Sequence, residues 1–232
     1  MVEPLYEISV TCTYCSNSFQ TSKVRPSFKK AKKTDTDFCV HYKDLNPDFY
    51  VVRICPFCGY AHTENFSDKW NPAQKEAFHE RVAKNWTMRS FNGERTSEDA
   101  MLSYKLALLS AQIKDEKPRV VAGLLHHIAW LYRYQEDTEQ ENRFLAFALD
   151  AYVNVYESEG LDLNNAKLMY LMGELNRRLS SYNEAVKWFS RIINDRKIMD
   201  AGMIRASREQ WMATREDMLA RRMVLPEEMK HA

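Results

Sequence analysis

The sequence predicts a mainly α protein, in which a small N-terminal β region precedes an all-α domain of helical hairpins. Three observations carry this. All five cysteines fall before residue 60, among short β-type runs such as "YEISV" and "FYVVRI". The N-terminal part also holds Pro4, Pro26, Pro47 and Pro56, which suits strands and turns around a small centre. From "NPAQKEAF" onward, apolar residues recur with the period of a helix and continue to do so. These shifts place the first domain at 1–66, the helical domain at 71–225 and a tail at 226–232.

Asn71 followed by Pro72 marks the first helix start, an N-cap with proline at the first helical position. Six further helical stretches follow. Leu102, Leu106, Leu109 and Ile113 mark one face of the next, which Thr96 or Ser97 can cap. Pro118 opens the third, with Leu124, Ile128 and Leu131 on its stripe. Phe144, Phe147, Ala151 and Val155 mark the fourth, ended by Gly160, and Leu168, Met172, Leu175 and Leu179 the fifth. Val186, Phe189 and Ile193 give a shorter sixth, and Ile204, Trp211 and Met218 recur at seven-residue spacing in the last. Connectors such as "SSY" are short, so neighbouring helices should pack as antiparallel hairpins.

The stretch "AKLMYLMGELNRRLSSYNEAVKWFSRII" resembles a tetratricopeptide repeat. Met172 and Gly173 supply the large–small step, and Tyr182, Ala185, Phe189 and Ile192 follow at that family's offsets. Asn176 and Lys197 depart from its pattern. A weaker copy upstream uses Ile128, Ala129, Tyr132, Ala148, Tyr152 and Val155. Stacked hairpins form a solenoid with a concave surface, whereas an ordinary bundle of the same periodicity buries that face.

The 33 basic and 32 acidic side chains give a net charge of +1, so no global field draws the chain to nucleic acid or anionic lipid. No run of ~18 apolar residues occurs. The opening "MVEPLYEISV" lacks the basic and apolar regions of a leader, and a cytoplasmic location is expected. An odd number of cysteines, four of them in C-x-x-C pairs, suits metal in a reducing compartment better than a disulfide framework.

Those pairs are "CTYC", Cys12 and Cys15, and "CPFCG", Cys55 and Cys58. A C-x-x-C turn supplies two thiolates from one loop, and two turns complete a tetrahedron, so a zinc ribbon with one structural ion is expected. In the second turn Pro56 stiffens the loop and Gly59 permits an unusual backbone angle after the second ligand. A redox dithiol would open a helix, and neither pair does. Four cysteines leave no open position for catalytic water. "HERVA" at His79 lacks the second histidine of a metalloprotease helix, Ala83 standing in its place.

The 39 residues between the knuckles form a long insertion. It contains a basic stretch with Lys29, Lys30, Lys32 and Lys33, beside Phe28, which can track a phosphate backbone. Residues 1–65 nevertheless carry eight basic and seven acidic groups, so the lysines can equally be balanced by the aspartates that follow. Cys39, the fifth sulfur, reads as a buried apolar thiol, as a replacement ligand, or as part of a second polar site with Asp37 and His41.

"PLY", "VTCxxC", "KVRPS", "DTDFCVHYKDLNPDFYVVRICPFCGYA" and the helical remainder together resemble a bacterial, Firmicutes-type family described only as a domain of unknown function. Its members look like a zinc ribbon fused to tetratricopeptide-type helices. The resemblance implies Cys12, Cys15, Cys55 and Cys58 as the metal set, and Asp37, Phe38, Cys39 and Tyr42 as a motif of unassigned role. Ser16 stands where glycine often follows the first knuckle.

The expected function is a non-enzymatic zinc-binding adaptor that engages a protein through a helical surface, with Tyr132, Tyr152, Tyr170, Trp188 and Trp211 lining or supporting the groove. The alternative is nucleic-acid or ribonucleoprotein binding through the ribbon and its lysines. No G-x-G-x-x-G, P-loop or G-x-S-x-G is present; the residual enzymatic reading centres on Asp35, Asp37, Cys39 and His41. No membrane partner is expected.

Overall fold

A computed structural model of the chain describes residues 2–159 and 165–229. Three antiparallel strand pairs come first. β1 (Leu5–Thr11) pairs with β2 (Ser18–Val24) from Leu5 opposite Val24 to Thr11 opposite Ser18. β3 (Ala31–Thr34) pairs with β4 (Val40–Tyr42), with a bulge between Ala31 and Lys33. β5 (Arg53–Ile54) pairs with β6 (Ala61–His62). Short 3-10 turns at Pro26–Phe28 and Pro47–Tyr50 connect them, each begun by proline.

Seven α-helices follow among the described residues. They are α1 (Pro72–Arg81), α2 (Ser97–Lys114), α3 (Pro118–Tyr134), α4 (Thr138–Glu159), α5 (Ala166–Arg178), α6 (Tyr182–Asn194) and α7 (Ala201–Ala220). The starts of α1 and α2 are local chemistry: Asn71 with Gln74, and Thr96 with Asp99, form reciprocal capping boxes. The end of the fourth helix, expected at Gly160, lies outside the described residues. No helix among the described residues is long and apolar enough to cross a membrane.

The chain divides by compactness into two units, Met1–Glu141 and Asn142–Ala232. The change from strand to helix at residues 66–71 falls inside the first unit, which holds the strand pairs together with α1, α2 and α3. Tyr60, beside β6, packs its ring on Trp70 at 5.0 Å and on Phe78 of α1 at 5.7 Å, and Tyr104 of α2 donates to the Asp48 carbonyl at 3.0 Å. Arg95 is buried without a carboxylate. Its guanidinium donates instead to the carbonyls of Phe91, Phe49 and Val52 and to Thr21 Oγ1, which ties the segment before α2 to the β region.

Two predicted helix stripes are displaced. In α2 the buried face is Ala100, Ser103, Tyr104, Ala107 and Ala111, with Ile113 of the expected stripe, while Leu102 is exposed and Leu106 and Leu109 are half-buried. Small residues bring the α2 backbone close to β6 and the Pro47–Tyr50 turn, which leucines would hold away. In α4 the core positions are Leu145, Ala148, Tyr152 and Val155, and Phe147 is exposed with Arg143 over its ring. In the second unit α5, α6 and α7 pack on one another. Gly173 lies so close to Phe189 that an added Cβ would come within 2.6 Å of the ring. The expected tail, 226–232, includes a 3-10 turn, Glu227–Met229, whose Met229 is buried.

Candidate metal centre

Both C-x-x-C pairs lie in hairpin loops, Cys12–Cys15 between β1 and β2 and Cys55–Cys58 between β5 and β6. The loops have the same internal geometry. Cys12 N–H donates to Asn17 O and Ser16 N–H to Cys12 O, both at 2.9 Å; Cys55 N–H donates to Tyr60 O at 2.9 Å and Gly59 N–H to Cys55 O at 3.0 Å. The residue after each second cysteine is left-handed, Ser16 at φ 62° and Gly59 at φ 75°. Serine therefore adopts the conformation that glycine supplies in the other loop.

The four sulfurs meet. Cys12 Sγ is 3.7 Å from Cys58 Sγ, Cys15 Sγ is 3.6 Å from Cys55 Sγ, and all four lie within 4.8 Å of one another, too far apart for disulfides. A tetrahedral ion with bonds of about 2.3 Å to sulfur sets its ligands about 3.8 Å apart, so the spacing fits a metal ion. Electrostatics agree. Contacts with neighbouring sulfurs push the Cys12 and Cys58 thiols up and hold Cys55 down, so crowding lets one thiolate form at its neighbours' expense. A divalent cation removes that conflict. Asn17 Nδ2 donates to Cys15 Sγ at 3.4 Å, and the Phe57 and Cys58 amides support Cys55.

The site is roofed by residues from outside the ribbon. Trp86 lies against Gly59 and donates from Nε1 to the Pro56 carbonyl at 2.8 Å. Trp70 donates from Nε1 to Thr13 Oγ1 at 3.2 Å, inside the first knuckle. Tyr14 packs on Trp70 and Phe78. Behind this layer, buried Lys114 stands over the Trp70 ring at 4.8 Å and pairs with Glu116 at 3.1 Å; its Nζ also donates to the Ser67 carbonyl. Sequence spacing offered no signal for Trp70, Trp86, Lys114 or Glu116, because each comes from an element remote from the knuckles.

This roof makes the two left-handed positions unequal. A Cβ on Gly59 would approach Trp86 Cε3 to 2.5 Å, in a backbone region that itself costs a side chain about 1–2 kcal/mol. Gly59→Ala should therefore destabilise the protein by about 2–4 kcal/mol. Ser16→Gly should leave the midpoint of thermal unfolding nearly unchanged or raise it. Equal losses in the two variants, measured by circular dichroism, would remove the role given to Trp86.

The motif of unassigned role forms a second constellation, at the tip of the β3–β4 hairpin. Asp35 N–H donates to Cys39 O at 2.7 Å and Phe38 N–H to Asp35 O at 2.9 Å, with Phe38 left-handed at φ 69°, where hairpins usually carry glycine. Asp37 is fully buried. Arg133 of α3 grips it through two nitrogens, at 2.9 and 2.6 Å, while Trp130 Nε1 donates at 3.1 Å and His126 Nε2 lies at 3.4 Å. Arg133 also reaches Asp35 at 3.0 Å and Glu141 at 2.7 Å. Burial opposes the charge on Asp35, but hydrogen bonds from His41, Lys33 and Arg133 outweigh it and hold the carboxyl at about 2. Burial keeps His126 below its usual range despite Asp37.

Cys39 is buried, and burial pushes its thiol up to about 12; its Sγ lies 3.3 Å from the Tyr134 hydroxyl. Tyr42 is half-buried at the end of β4, opposite Ala31. His79 is exposed on α1. Lys29, Lys30, Lys32 and Lys33 are all exposed, and Lys33 spends its charge on Asp35 at 2.7 Å. Of the five aromatics expected at a partner surface, Tyr152, Tyr170 and Trp211 are buried, and Tyr132 and Trp188 are half-buried. Trp211 Nε1 donates to Ser190 Oγ at 3.1 Å, and Trp188 packs edge-on to Tyr156 at 5.2 Å.

The model of a family described as "Uncharacterized protein conserved in bacteria (DUF2225)" matches residues 5–214. No curated protein and no solved structure matches the chain.

Proposed function

We propose that this chain, which belongs to that uncharacterised bacterial family, is a non-enzymatic zinc-binding adaptor. The observation that carries the reading is the closed set of four convergent thiols. Such a set binds zinc tightly and leaves no coordination position for substrate or activated water. When bound, the ion joins two hairpin loops 40 residues apart in sequence; the chain's own part is to hold the four sulfurs and cover them with Trp70 and Trp86.

The partner surface we favour is a groove of about 510 Å³ on the second unit, lined by Ser190, Ile193, Trp211, Met212, Arg208 and Glu228 among others. Trp211 and Ile193 give it an apolar floor, and one basic and one acidic side chain flank it. That chemistry suits an amphipathic helix presenting apolar anchors between charges of both signs. The tetratricopeptide-like reading of α5 and α6 is supported by Gly173 lying under Phe189, the large–small contact of such hairpins.

The test is affinity capture with the tagged, full-length chain, with and without nuclease, comparing wild type with Met212→Glu. Met212 is 48% exposed, so the substitution should leave melting unchanged. A stoichiometric protein that survives nuclease and binds Met212→Glu at least about tenfold more weakly supports the adaptor. Capture indifferent to Met212→Glu removes this groove. The exposed Lys29, Lys30 and Lys32 favour the nucleic-acid reading instead if nuclease releases everything and their replacement by glutamine abolishes a steep salt dependence.

A further inference from the structure

We propose that Asp35, Cys39 and His41 form a second, open site for a thiophilic divalent cation of the zinc class, independent of the four-cysteine centre. The hairpin brings the three together. Asp35 and Cys39 close its tip through the Asp35 N–H to Cys39 O bond, and His41 follows two residues later, inside β4. One donor atom from each lies within 4.8 Å of the others, and His41 Nε2 is 2.8 Å from Asp35 Oδ2.

The three are graded in depth. Cys39 is fully buried, the Asp35 side chain is 9% exposed and that of His41 is 32% exposed, so an ion can enter past the imidazole and meet the sulfur last. One oxygen, one sulfur and one nitrogen suit zinc or cobalt and suit magnesium or calcium poorly.

Local charge points the same way. Three carboxylates, on Asp35, Asp37 and Glu141, face two cations, Arg133 and Lys33. Arg133 is largely committed, giving two nitrogens to Asp37 and its Nε to Glu141. The cluster thus carries one negative charge in excess, and two once Cys39 is a thiolate. A divalent cation supplies that amount. On binding, the Cys39 thiol releases its proton to solvent, and the Nε2 proton that His41 directs at Asp35 is given up to solvent or to Nδ1 so that a ring lone pair can face the ion; no electron is transferred.

The supporting groups are in place around the triad. Arg133 Nη1 holds Asp35 from the protein side, and Tyr134, whose hydroxyl lies beside the Cys39 sulfur, donates to the Val40 carbonyl at 2.9 Å. Three protein ligands leave a fourth position for water or for a donor from outside, unlike the closed four-cysteine set.

The test uses full-length protein purified with zinc supplied and freed of excess metal by gel filtration, then titrated with Co2+. Bound zinc and cobalt are counted by mass spectrometry, and absorption is followed for a thiolate-to-cobalt band. Two ions per chain are expected in total. His41→Ala, at a partly exposed position, should weaken the second ion by at least about tenfold. Cys39→Ala should abolish its band, and both should leave the first ion in place. If Cys39→Ala does not fold, Asp35→Asn takes its part in the count. One ion per chain in the wild type, or a second ion indifferent to His41→Ala and Asp35→Asn, would overturn the assignment and leave a hydrogen-bonded clasp.

Discussion

A Cys55→Ser variant is expected to lose the ion of the four-cysteine centre and, with it, cooperative folding of the unit Met1–Glu141. The reason is the small size of what the knuckles hold together. β5 and β6 have two residues each, and an isolated hairpin of that length is not stable in water. Structural zinc binds zinc-finger peptides with about 10–16 kcal/mol that is also their folding free energy, comparable with the whole stability of an ordinary domain, about 5–15 kcal/mol. Zinc content and amide exchange together decide the matter. Protection should collapse in the strands and in α1, which rests on Tyr60 through Phe78, while α5, α6 and α7 keep theirs through their own buried Met172, Leu175, Phe189 and Ile192. A Cys55→Ser protein with unchanged melting and exchange would refute a structural role for the metal.

Breaking the clasp between Asp37 and Arg133 should be the next largest loss. Arg133→Ala leaves the fully buried Asp37 carboxylate with Trp130 and His126 but without the guanidinium that pairs its charge, and breaking a buried pair from one side costs about 3–5 kcal/mol. Asp37→Ala strands Arg133 less completely, since Asp35 and Glu141 remain. The double variant Asp37→Leu with Arg133→Met should recover part of the loss, because exchanging both partners for apolar groups removes the charge and its desolvation together. Chemical denaturation of the three variants measures this, and a double variant no better than Arg133→Ala would argue against a buried pair. Asp35 adds a pH signature. Its folded value, about 2, lies below the ordinary 3.8, so its contribution is complete above about 4 and is lost as pH falls toward 2. Asp35→Asn should flatten the wild type's loss of stability across that window.

What could be read in advance was chemistry that acts over a few residues. C-x-x-C spacing is legible because both thiols come from one loop, and the four cysteines that meet could be named. Asn71 and Thr96 declared helix starts because a cap and its partner stand three positions apart. Helix periodicity gave all seven α-helices among the described residues but displaced the buried stripes of α2 and α4, where only Ile113 and Val155 of the expected positions are buried. Leucine and phenylalanine carry the periodic signal, whereas alanine and serine also face the core wherever another backbone comes close.

The motif Asp37, Phe38, Cys39 and Tyr42 marks the opposite limit. The aspartates in and beside it read as counter-charges for neighbouring lysines, and Asp35, two residues before the motif, does pair with Lys33. Asp37 instead meets Arg133, 96 residues away, through a helix whose sequence shows an ordinary amphipathic stripe. In the same way Trp86 reaches Gly59 and Lys114 reaches Tyr60 from elements that carry no sign of the ribbon.

The sequence alone thus determined the four cysteines that could hold a metal ion, the count of α-helices among the described residues and the order of strands before helices. These depend on donor type, caps and periodicity, which are properties of neighbouring residues. Only the tertiary structure decided the roof over the cysteines, the burial of Asp37 and the division at residues 141 and 142. Those depend on which distant side chains share a low-dielectric interior, where an unpaired charge or an added methyl group is too costly to tolerate.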